Sequence, residues 1–429
     1  MFTAVLQAKD LPVSLNGFRL KALAWAGTYP LVAYYNPNSI AYPHGGFQHL
    51  LAVSANHPIN LDEQNVLESI QAKLAGGHNL WCGYLTYDLK NQIEKLSSSN
   101  HDGIAFPTAL FFEPQVYLYF NDDSVDISSS DNNIDSILAA ILQSTLPCAA
   151  TPAHVTLKQR VTPEQYKTNV EKIRNHILEG NVYELNYCME FFAEDAEVVP
   201  LPLYLALNEA SPTPFSGYLK YNDKYLMCAS PERFLKKEGQ KLISQPIKGT
   251  IKRGQTPEED AALQHQLRHD EKELAENMMI VDLVRNDLSR SCSTGTVQVE
   301  EMFGIYGFRQ VSQMISTITG ELKPENDLTD ALKGAFPMGS MTGAPKISAM
   351  QLIEELEATK RGLYSGTFGY ITPDNDCDFN VVIRSIQYNA SAKYLSFMVG
   401  SAITYDSEPE REYEECLLKA KAILKVLGN

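Results

Sequence analysis

Residues 366–400 read GTFGYITPDNDCDFNVVIRSIQYNASAKYLSFMVG. Three strand-like apolar runs lie in this stretch, Phe368–Ile371, Val381–Ile386 and Tyr394–Val399, and a fourth, Tyr225–Ala229, precedes them. They alternate with helical stretches of varied length rather than with regular βαβ spacing. That pattern predicts an α+β fold with a large, mainly antiparallel sheet. Upstream, Thr162, Pro163 and Gln165 form a helix start with a capping box. Tyr166, Val170, Ile173 and Ile177 follow at helical spacing until Gly180.

Before residue 150 the chain mixes β-rich runs, Tyr29–Tyr35 and Ala109–Phe120, with helical patterns over Leu61–Leu74 and Asp131–Leu146. Pro147 to Ala153 is the expected linker. It would divide an N-terminal subdomain, 1–150, from a second domain, 155–429.

Seven scattered cysteines without a C-x-x-C pair argue against a zinc site or a disulfide framework and fit a reducing cytoplasm. No apolar run is long enough to cross a bilayer, and Met1 to Leu15 lacks a signal-peptide pattern. A net charge of −16 disfavours nucleic acid and anionic membranes as partners, although a few cations in a cleft can still hold a small anion. There is no Walker A sequence, dinucleotide fingerprint or H-E-x-x-H. In Gly339-Ser340-Met341-Thr342-Gly343 the serine falls one place too early for a nucleophile elbow.

Four segments carry the chemistry. They are Ser230-Pro231-Glu232 with Pro246-Ile247-Lys248-Gly249-Thr250; Lys272-Glu273-Leu274-Ala275-Glu276-Asn277 running into Met279-Ile280-Val281-Asp282-Leu283; Gly339-Ser340-Met341-Thr342-Gly343-Ala344-Pro345-Lys346; and Ser407-Glu408-Pro409-Glu410-Arg411-Glu412-Tyr413-Glu414-Glu415 with Lys419. Glu273 and Glu276 share a helix face, as do Glu412 and Glu415. Two such faces across a cleft would suit a hard cation, Mg²⁺ first among them. By spacing alone, such pairs more often line a solvated helix face. The two glycine-bearing loops offer backbone N–H groups to an anion, or are simply turns.

In their order and spacing, the four segments resemble the chorismate-utilising enzymes, the anthranilate, aminodeoxychorismate, isochorismate and salicylate synthases. The resemblance runs from about residue 160 to the C-terminus, and Gly83-Tyr84-Leu85-Thr86-Tyr87-Asp88-Leu89 looks like the amino-transferring branch. It implies a large layered α/β sandwich of antiparallel sheets flanked by helices. It also implies Mg²⁺ held directly by Glu276 and Glu415, with Glu273 and Glu412 acting through water. Glu232 matches a general acid. Arg384 matches a carboxylate-gripping arginine, and Tyr364 a hydrogen-bonding tyrosine. Gly249, Thr250, Thr342, Gly400, Ser401 and Ala402 match positions lining chorismate, and Lys419 a lysine near its ring carboxylate.

Lys248 narrows the resemblance to the branch that aminates chorismate at C4, since the other members have alanine there. A lysine amine can attack C2 as the C4 hydroxyl leaves, and ammonia then enters at C4 as the lysine departs. Holding the amine neutral at pH 7 costs roughly 4 kcal/mol from an unperturbed pKa, a cost that Mg²⁺, Arg384 and Lys346 are expected to lower. The sequence departs from the family at Gln313, where histidine is usual, at Glu184, where the amino-transferring branch has glutamine, and at Ser401-Ala402, a more glycine-rich run elsewhere. No segment resembles a glutaminase, so the resemblance implies ammonia from a separate glutamine amidotransferase subunit. Anthranilate synthase component I and a non-catalytic chorismate- or amino-acid-binding relative are the alternatives.

Overall fold

The computed structural model describes residues 1–77, 79–147, 155–309 and 311–429. Two large sheets organise it, one of 12 strands and one of nine, and their strands pair antiparallel throughout. The sandwich expected from the sequence is the observed architecture.

Alternation along single strands builds the layers. In Leu31–Asn36, Leu31, Ala33 and Tyr35 point into the core between the sheets, whereas Val32 and Tyr34 point to the helices outside. The inter-sheet core is aromatic: Tyr35 stacks on Phe368 with ring centroids 4.5 Å apart. Helices cover the outer faces, and Pro163–Leu178 carries the expected capping box. No helix among the described residues is long and apolar enough to cross a membrane.

Strands from before residue 148 and after residue 154 share both sheets. Leu31–Asn36 pairs with Phe215–Tyr221 in the larger, and Trp81–Leu85 with Thr367–Ile371 in the smaller. Of the expected linker, Pro147 to Ala153, residues 148–153 lie outside the described residues.

Several expected elements differ at their edges. The run Ala109–Phe120 is two strands in different sheets, split around Pro114, which has no N–H for a ladder. The helices expected over Leu61–Leu74 and Asp131–Leu146 span Val66–Ala75 and Ile134–Gln143. Val381–Ile386 is not one strand. The chain leaves the smaller sheet after Asn380 and enters the larger at Ser385, with Arg384 at φ 49°. Its continuous apolar character reflects this crossing, since Val381, Val382 and Ile386 each pack into a different core.

Candidate active site

The site lies where chain segments pass from one sheet to the other. Glu232 occupies the short connection between Lys224–Ser230 of the larger sheet and Arg233–Glu238 of the smaller. Its carbonyl accepts from Val381 N–H at 3.0 Å, which ties it to the second crossing and thus to Arg384. The Ser340 hydroxyl donates to Glu232 Oε1 at 2.7 Å. Burial pushes the Glu232 carboxyl up to about 7, against the opposing pull of the Ser340 hydrogen bond and of Lys248, Arg384 and Lys419. A carboxyl so held can carry a proton near neutrality. The Arg384 guanidinium makes no hydrogen bond or ion pair among the described residues, and it lines a small cavity with Gln313, Thr213 and Phe308.

Lys248 sits on the edge strand Ile247–Lys252, whose register against Val311–Glu321 shifts between Ile247 and Thr250. Gly249 takes φ +95° at that irregularity, a conformation that favours glycine. The buried Asn277 donates to the Lys248 carbonyl at 3.1 Å and accepts from the Ser316 hydroxyl at 2.6 Å. The Lys248 ammonium lies 3.2 Å from Glu184 Oε1. Burial opposes its charge, but Glu184, Glu276 and Glu415 outweigh burial and raise the amine above the usual lysine range.

This corrects the expected setting of Lys248, because carboxylates rather than cations dominate around it. Lys346 is not the neighbour expected. It is buried in an ion pair with Asp287 at 2.6 Å and donates to the Pro337 carbonyl at 2.8 Å.

The loop containing Thr342 closes on the strand Glu184–Ala193. Asn186 N–H donates to the Thr342 carbonyl at 2.8 Å, and Gly343 pairs with Leu185. A Cβ on Gly343 would lie 2.1 Å from the Glu184 carbonyl oxygen, so only glycine permits this approach. On the neighbouring strand Tyr394–Ile403, Lys419 donates to the Gly400 carbonyl at 2.9 Å, and a Cβ on Gly400 would meet Cys188 Sγ at 2.5 Å. Ala402 is buried two residues on, on the same face of the strand. Ser401 differs. Its hydroxyl faces the helix layer, 3.0 Å from the Tyr166 hydroxyl, so its side chain is not part of the cleft. Tyr364 is buried with its hydroxyl 3.9 Å from Cys188 Sγ, and Thr250 is exposed at the outer edge.

Glu273 and Glu276 lie on the helix Glu271–Ser289, and Glu412 and Glu415 on Pro409–Val426. Burial raises Glu273 to about 7, with Glu276, Asp270 and Glu415 adding to it, and burial also raises Glu276. Burial opposes the charge of Glu415, but Lys419, 2.7 Å away, together with Lys248 and Lys272 holds it below the usual carboxylate range. Lys272 lies 3.6 Å from Glu276. Among the described residues no three carboxylates converge tightly enough to hold a metal ion as they stand. The donor chemistry nevertheless fits a hard cation. Glu273 and Glu415 act on each other across the two helices, and the ammonium groups of Lys272 and Lys419 balance part of the charge.

Residues 27–425 match the sequence profile of the chorismate binding enzymes. The chain belongs to the chorismate-binding enzyme family. It is 34% identical to aminodeoxychorismate synthase component 1 of Bacillus subtilis, covering 80% of this chain and 76% of the relative. It is equally 34% identical, with the same coverage, to anthranilate synthase component 1 of Thermus thermophilus. In structure it resembles anthranilate synthase component I of Streptococcus pneumoniae, with a TM-score of 0.75, 26% identity, and coverage of 98% of this chain and 92% of that one.

Within this chorismate-binding enzyme, Arg361 is a site-shaping residue that sequence reasoning passed over. It is fully buried, pairs with Glu357 at 2.6 Å and donates to the carbonyls of Met341 (2.6 Å) and Asn186 (2.8 Å). Glu357 in turn accepts from Cys188 N–H at 2.9 Å. One ion pair thereby fixes the Thr342 loop to the strand bearing Glu184. Glu357 and Arg361 at i, i+4 were visible in the sequence, but that spacing ordinarily marks a surface pair.

Proposed function

We propose that this chain is the synthase component that converts chorismate and ammonia to 4-amino-4-deoxychorismate, for p-aminobenzoate and folate biosynthesis in the cytoplasm. The observation that carries this reading is the Lys248 amine close enough to the protonatable Glu232 to act on its charge. Lys248 attacks C2 while Glu232 protonates the departing C4 hydroxyl, and ammonia displaces the lysine by attack at C4. Arg384, whose guanidinium makes no ion pair with a carboxylate among the described residues, grips a substrate carboxylate, and Tyr364 and the Thr342 loop orient the ring.

Mg²⁺ would supply a positive charge against the ring carboxylate of the substrate. Glu276 and Glu415 would hold it directly, with Glu273 and Glu412 acting through water, and Lys272 and Lys419 would have to give up their present partners. Replacing Glu276 or Glu415 with Gln is expected to weaken Mg²⁺ binding by at least about 10- to 100-fold, the cost of losing even an outer-shell partner, and to weaken chorismate binding in parallel. Titration calorimetry with the metal alone and then with chorismate reads both. Wild-type Mg²⁺ affinity in both variants would remove these residues from the site.

Ammonia is supplied by a separate glutamine amidotransferase subunit. The naming of relatives as a "component 1" supports this reading. The purified chain is expected to aminate chorismate with ammonium salts and not with glutamine. Product mass and absorption distinguish 4-amino-4-deoxychorismate from anthranilate, whose synthases match this chain equally well. Anthranilate as the product would overturn the proposal.

A further inference from the structure

Glu184 is a buried carboxylate that the mechanism above leaves unused. It begins the strand Glu184–Ala193, is 1% exposed, and has only one oxygen engaged. Oε1 lies 3.2 Å from the Lys248 amine, while Oε2 has no hydrogen-bond partner among the described residues. A buried acceptor left unsatisfied is costly. Two features hold the carboxylate where it is. Gly343 allows the Thr342 loop to pack on the Glu184 backbone, and Arg361 anchors that loop through the Met341 carbonyl.

The lysine poses the matching problem. The Glu184 carboxylate 3.2 Å away favours its ammonium form, and an ammonium has no lone pair with which to attack C2. The group in hydrogen-bond contact with that ammonium is Glu184.

We infer that Glu184 is a catalytic base that takes the proton from Lys248 at the moment of attack and returns it when the lysine leaves. The inference rests on the proposed role of Lys248 as nucleophile. The proton balance closes. Lys248–NH₃⁺ passes one proton to the Glu184 carboxylate, giving a neutral amine and a carboxylic acid. The amine forms its bond to C2 as the C4–O bond breaks, and Glu232 gives its proton to the departing oxygen, releasing water. The adduct nitrogen is then a secondary ammonium. Ammonia bonds to C4, the C2–N bond breaks, and Lys248 leaves as a neutral amine. The new C4 ammonium returns a proton to Glu232, and Glu184 returns its own to Lys248. The sum is chorismate plus ammonia giving aminated product plus water.

A glutamine at position 184 has the same shape and can accept a hydrogen bond from lysine, but it cannot take the proton. With Glu184→Gln, the rate of Lys248 adduct formation, followed by peptide mass after rapid quenching, is expected to fall about 10²-fold at neutral pH. The KM for chorismate should change little. The residual rate should rise about tenfold per pH unit, because the proton must now leave to solvent. Glu184→Asp, which keeps a carboxylate, should recover part of the loss, and chorismate binding by both variants reports that the site is folded.

The opposite result is equally definite. If Glu184 only stabilises the ammonium, its removal frees the amine, and Glu184→Gln forms the adduct as fast as wild type or faster. That outcome overturns the role of Glu184 and leaves Lys248 as the nucleophile. An absence of any Lys248-linked mass in turning-over wild-type enzyme would instead remove the nucleophile, and this inference with it.

Discussion

Replacing Lys248 with alanine is expected to lower formation of 4-amino-4-deoxychorismate by at least ~10³-fold, the scale on which removal of an enzymic nucleophile acts. The substrate should still bind, because Arg384, Tyr364 and the Thr342 loop do not depend on the lysine side chain. The backbone at 248 is held from its carbonyl by Asn277, so the loop should keep its course. With C2 no longer occupied by the protein, ammonia or water can add there directly, and traces of 2-substituted product should replace the 4-amino product. Product analysis by mass and absorption, alongside chorismate binding, reads the loss and the switch together. A Lys248→Ala enzyme that still makes the 4-amino product at a near wild-type rate would end the covalent mechanism.

The second large effect belongs to Glu232. The proposed reaction needs its proton, and burial raises its pKa to about 7. The acid form therefore predominates below about pH 7, and the rate should decline as pH rises through that value. Glu232→Gln should lose about 10²- to 10⁴-fold in kcat and should lose this limb of the profile as well. The Ser340 hydrogen bond lowers the pKa by favouring the carboxylate. Ser340→Ala should accordingly move the limb to higher pH while leaving the acid in place. A wild-type profile flat between pH 6 and 9 would exclude Glu232 as the titrating acid.

Legibility in the sequence followed the range of the physics involved. The capping box at Thr162 is decided within four residues, and the structure reproduces it. The pairing of Glu273 with Glu276 on one helix follows from helical geometry and is likewise seen. Val381–Ile386 shows where local pattern misleads, because an unbroken apolar run cannot distinguish a strand from a segment crossing between two buried sheets. Lys346 and Ser401 show the same limit for side chains. Lys346 lies in a motif that marks the family and Ser401 at a position expected to line the substrate, yet one is bound to Asp287 and the other faces Tyr166.

By itself the sequence determined a large antiparallel sheet through its periodicity and, through its ordered motifs and the resemblance they carry, the sandwich, the membership of the chorismate-binding enzymes and the residues around which a site could form. Only the tertiary structure decided the electrostatics. It brought Glu184 within 3.2 Å of a lysine 64 residues away, surrounded that lysine with carboxylates, and buried Glu232 deeply enough to hold a proton near pH 7. Charge interactions depend on distance and on burial, and neither is fixed until strands far apart in the chain lie side by side.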